Sequence, residues 1–74
     1  MTVYKITVSS PVNIVKIRDD LKSAGDTIAN VTMHYDAVNN EAEVLVESDL
    51  DEATVNDIVN NAKMTVDEYK ASIS

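Results

Sequence analysis

The chain has 74 residues, 45% of them apolar, and a net charge of −7, with no cysteine. One domain covering residues 1–74 is expected, and a domain this small buries only about 60% of the surface its unfolded chain exposes. The acidic balance argues against nucleic acid and anionic membranes as partners, and the missing thiols remove disulfides and soft-metal sites.

The charge is uneven. Residues 1–35 sum to +1, and residues 36–74 to −8. The segment from Asp36 to Ala62 holds eight carboxylates and neither Lys nor Arg. Met1 to Lys5 leads straight into an alternating pattern rather than a charged segment followed by an apolar run and a cleavage site. No apolar run approaches the ~18 residues that span a bilayer. A cytoplasmic location is the expectation.

Thr2 to Val8 alternates, with Tyr4, Ile6 and Val8 on one side and Val3, Lys5 and Thr7 on the other. That period of two, rich in β-branched residues, predicts a half-buried strand. Ser10 then offers a cap and Pro11 a first helical position. Ile14, Ile17, Leu21 and Ala24 follow at helical spacing, and Gly25, the only glycine, marks the stop.

Val31, Met33 and Tyr35 alternate with Thr32, His34 and Asp36. Ala42, Val44 and Val46 alternate with Glu41, Glu43, Leu45 and Glu47. Asn39 and Asn40 between the two runs predict a two-residue hairpin turn. That register pairs Tyr35 with Val44 and Met33 with Val46 on the inner face. On the outer face it pairs Asp36 with Glu43, His34 with Leu45 and Thr32 with Glu47.

Ser48 to Glu52 predicts a second helix start, with Val55, Ile58, Val59 and Ala62 as its apolar stripe. Thr65-Val66-Asp67-Glu68 matches a capping box, and Val66, Tyr69 and Ile73 follow at helical spacing. A short C-terminal helix is expected, with a fourth edge strand as the alternative.

The order strand, helix, strand, strand, helix predicts an α+β, two-layer βαββα sandwich. Right-handed crossovers and the hairpin favour strand order 2-3-1 with both helices on one face. The expected core is Tyr4, Ile6, Val8, Ile14, Ile17, Leu21, Met33, Tyr35, Val44, Val46, Val55, Ile58 and Val59. In topology this resembles a ferredoxin-like or split-βαβ sandwich lacking its last strand. Small heavy-metal-carrying domains share that layout and place two cysteines, two residues apart, after the first strand. Here the loop reads Ser9-Ser10-Pro11-Val12-Asn13, so the resemblance carries no metal function.

Catalytic chemistry finds little to stand on. His34 is the only histidine, no serine sits in a glycine-flanked elbow, and a phosphate loop needs more than one glycine. A paired-carboxylate hydrolase needs a cleft that a three-stranded sheet does not provide. No enzyme, no cofactor and no metal site is the expectation. Asp49-Leu50-Asp51-Glu52 lacks the ligand spacing and central glycine of a calcium loop, and helix capping accounts for it.

Two functions remain. The first is a non-enzymatic interaction module, an inhibitor, adaptor or regulator of phage type, binding a basic protein surface through the hairpin face. Asp36, Glu41, Glu43, Glu47, His34 and Leu45 are its candidate residues, and a plain solvated surface is the competing account. Full mimicry of duplex DNA fails on density: ~25 Å of duplex carries about 15 charges, roughly twice what eight carboxylates supply. The second is an assembly subunit of a virion or homo-oligomer, pairing through the first strand at Val3, Lys5 and Thr7.

Overall fold

Alternating side chains build the strands, and apolar stripes build the helices. The computed structural model describes residues 2–73, and the Ile73 side chain, expected on the terminal stripe, lies outside the described set. The elements in chain order are β1 (Thr2–Val8), α1 (Ile14–Ser23), β2 (Asn30–Asp36), β3 (Glu41–Ser48), α2 (Glu52–Asn60) and α3 (Val66–Ile73). Among the described residues the strands form one antiparallel sheet in the order β1-β3-β2.

β3 sits in the middle and shows the clearest alternation. Ala42, Val44, Val46 and Ser48 are fully buried, while Glu41, Glu43 and Leu45 are exposed. The buried side joins Ile17 and Leu21 of α1 and Val55 and Val59 of α2 in one core. All thirteen residues expected in the core are buried in it or packed against it. Val12, Ala29, Val31, Ala42 and Ala62 complete it. In the packing α1 meets β2, α2 meets β1, and the two helices meet each other.

The hairpin departs from the expected register. Its turn has four residues, Ala37 to Asn40, so Tyr35 pairs with Ala42, Met33 with Val44 and Val31 with Val46. The cause is Asp36. Its Oδ1 accepts the N–H of Val38 at 3.0 Å and of Asn39 at 3.4 Å, and its Oδ2 accepts the Asn39 amide at 2.8 Å. Asn40 then takes the positive φ, 50°, that brings the chain back into β3. A shift of two leaves every side chain on its expected face.

The start of α1 also differs from expectation. Asn13, not Ser10, is the cap, its Oδ1 accepting the Lys16 N–H at 3.1 Å. Residues 11–13 are occupied elsewhere. The Asn13 N–H donates to Ala62 O and the Met64 N–H to Pro11 O, both at 2.8 Å, forming a β-bridge between Val12 and Lys63. Extended backbone held this way cannot enter a helix. At the other end Gly25 adopts φ 98°, and Asp26 and Gly25 donate back to Leu21 and Lys22. These two hydrogen bonds close the last turn.

α2 begins at an Asp51 cap, so Ser48 and Asp49 lie outside it. Ser48 Oγ accepts the Leu50 N–H, and the Asp49 carboxylate accepts the Thr27 hydroxyl. In the tail, the helix forms and the fourth-strand alternative is overturned. The Thr65 N–H donates to Glu68 Oε1 at 3.0 Å and the Glu68 N–H to Thr65 Oγ1 at 3.1 Å, a reciprocal capping box. α3 rests on the sheet through Tyr69, whose ring meets Tyr35 edge-on at 5.0 Å. Among the described residues no helix is long and apolar enough to cross a membrane.

Candidate functional site

The outer side of the sheet is built by the alternate residues that the core leaves out. The register lays them in cross-strand rows from β1 through β3 to β2. Val3, Glu47 and Asn30 form one row, and Lys5, Leu45 and Thr32 the next. Thr7, Glu43 and His34 follow, and Glu41 and Asp36 close the face at the turn. The hairpin candidates and the β1 candidates are therefore parts of one surface.

Charge on this surface is not continuous. His34 stands opposite Glu43 rather than Leu45, and Asp36 opposite Glu41 rather than Glu43, both because of the longer turn. Lys5 Nζ lies 3.6 Å from Glu43 Oε2, with both side chains largely in water. The Asn30 amide donates to Glu47 Oε1 at 3.2 Å. The row of Lys5, Leu45 and Thr32 separates Glu47 from the other carboxylates. What remains is a cluster of His34, Asp36, Glu41 and Glu43 around an open depression of about 390 Å³, also lined by Tyr35 and Ala37.

Within the cluster Asp36 has a structural duty. Its hydrogen bonds from the Asn39 side chain and backbone, with a smaller Coulombic contribution from His34, hold its carboxyl below the usual range. It is ionised and fixed in place. Glu41 and Glu43 are exposed, Glu43 within reach of Lys5. Apolar surface borders the cluster at Leu45, 39% exposed, and continues on the same face to Val3, 56% exposed, in the row beyond. Among the described residues no group of three or more His, Asp or Glu side chains is placed to hold a metal. An open, solvated arrangement of this kind attracts cations at a distance, and the neighbouring apolar groups give contact once water leaves.

Two further surface features escaped the sequence reading. A groove along the free edge of β1 is bounded by Glu52 and Asn56 of α2. A pair of apolar depressions flanks Tyr69 of α3. Both depend on which elements become neighbours, and no local pattern announces that. Compared with known proteins, the chain matches no family model, no curated protein and no solved structure.

Proposed function

We propose that this chain is a cytoplasmic, non-enzymatic interaction module, an inhibitor, adaptor or regulator, that binds a basic protein surface through the outer face of the hairpin. The observation that carries the reading is the gathering of His34, Asp36, Glu41 and Glu43 around one depression beside exposed Leu45. Carboxylates steer a basic partner, and Leu45 and Val3 supply the apolar centre that charge alone lacks. Lys5 within the same face sets orientation, because a partner's cations avoid it and its anions seek it. The framework for this face is a ferredoxin-like, split-βαβ layout with both helices on the opposite side of the sheet. Its support is the single core shared by Ile17, Leu21, Val55, Val59 and the inward residues of β3.

The test is capture of partners from the native cell extract, with a salt titration. Basic proteins bound at low salt and released as the Debye length falls below ~8 Å are expected. The triple variant Glu41→Gln, Glu43→Gln, Glu47→Gln leaves the Asp36 turn intact and is expected to lose that capture. Unchanged capture by the triple variant would overturn the reading.

A further inference from the structure

Among the described residues β1 is an edge of the sheet, and a groove of about 380 Å³ runs along it. One side of it is residues 3–7 of β1, and the other is Glu52 and Asn56, one turn apart on α2. Five successive strand residues line it, so it follows the backbone rather than one side chain. Among the described residues β1 has a strand neighbour, β3, on one side only. Alternate N–H and C=O groups of β1 consequently point into the groove. Edges of this type take up an extended chain through main-chain hydrogen bonds, with alternate side chains giving selectivity.

The layer widths leave room for one such chain. α1 lies against β2, α2 against β1, and the helices against each other. Two packed helices span ~18–20 Å, whereas three strands span ~14 Å. The difference is one strand, and the side of α2 bearing Glu52 and Asn56 is where it falls. This step rests on the shared-face packing proposed above.

We infer that the groove between β1 and α2 receives an extended segment of a partner protein as a fourth strand. The segment carries apolar side chains toward Tyr4 and Ile6 and a basic side chain toward Glu52. Tyr4 and Ile6 are only half-buried, unlike Val8 on the same face, so an added strand has apolar surface to cover. Exposed Glu52 supplies the charge to be answered. A second copy answers it poorly. Antiparallel pairing of β1 with β1 offers Lys5 as its one charge, on the outer sheet face with Glu43, and joins two chains of −7 each.

The probe is an end-blocked ten-residue peptide alternating valine and threonine, with one central lysine, added to the full chain. Binding is expected to slow amide exchange at alternate residues of Thr2–Val8. Replacing the peptide lysine by glutamate is expected to weaken binding about two- to fivefold. Glu52→Gln removes that difference, and Glu52→Lys reverses it. A central proline in the peptide abolishes binding. Retained protection of the Val44 and Val46 amides shows the core intact, so a loss of binding in such a sample counts against the groove and not against the fold. The inference is overturned by no detectable binding, by protection of Asn30–Asp36 instead, or by a lysine preference that Glu52→Lys leaves unchanged. A dimer that protects β1 without peptide also overturns it and assigns the edge to a second copy.

Discussion

The carboxylate of Asp26, just past α1, accepts the backbone N–H of Asp49, just past β3, at 3.3 Å. The same oxygen accepts the Ile28 N–H at 2.9 Å. Two loops at the same end of the sheet are thus held by one side chain that is 6% exposed. Burial pushes its pKa up, but the neighbouring Ser48 hydroxyl and the hydrogen bonds from the backbone of Ile28 and Asp49 outweigh it and hold the group at about 2. A carboxyl with a depressed folded pKa stabilises the fold above its ordinary value of 3.8 and loses that contribution as pH falls toward 2. Asp26→Asn is expected to cost about 2 kcal/mol at neutral pH. Urea denaturation of both forms checks this, and the gap between them should shrink below about pH 4.

Tyr69 is the anchor of α3. Its edge-on contact with Tyr35 at 5.0 Å joins the helix to β2, and the Tyr35 hydroxyl donates to Asn40 Oδ1 at 2.7 Å. Tyr69→Ala is expected to cost about 1–2 kcal/mol through lost ring burial and pairing. Hydrogen exchange should show α3 amides opening while Val44 and Val46 stay protected. Tyr69→Phe, which keeps the ring, should retain most of the stability.

Gly25 isolates a purely conformational cost. A Cβ built there meets nothing within 4 Å, yet φ is 98°. Gly25→Ala is expected to destabilise by about 1 kcal/mol without any clash. Chemical synthesis with D-alanine at this position supplies the control. The D-residue accommodates positive φ, and its thermal midpoint should match or exceed that of the glycine form.

Leu21 and Val15 give opposite outcomes on the same helix. Leu21 is fully buried, and Leu21→Ala is expected to cost about 3 kcal/mol, a large share of the roughly 5–15 kcal/mol that holds a domain together. Val15 is 57% exposed, and Val15→Ala should fall within about 0.5 kcal/mol of the parent. Thermal melts of the two variants side by side check both.

The faces of the strands were legible in the sequence because a two-residue period survives a two-residue slip. Met33 and Tyr35 point inward whether they pair with Val46 and Val44 or with Val44 and Ala42. The pairing itself was not legible, because the Asp36 carboxylate, competing for the Val38 and Asn39 N–H groups, set the turn length. The start of α1 lies beyond the expected Pro11 for a long-range reason: Val12 pairs with Lys63, 51 residues on. The same holds for the site. The acidic residues and Leu45 were visible as an exposed stripe, but the wedge of Lys5 between them exists only through the β1–β3 register. Asp26 was invisible because a buried carboxylate is recognised by its partners and not by its neighbours in sequence.

The central place of β3 also dictates an order of events on the ribosome. Every strand partner of β1 lies between Ala42 and Ser48, so β1 and α1 leave the exit tunnel with no sheet to join. The β2–β3 hairpin needs only a four-residue turn and closes in about 1–10 μs, whereas β1 must return across the whole intervening helix and hairpin. Vectorial synthesis therefore leaves the Ile17 and Leu21 stripe uncovered until the third strand is complete.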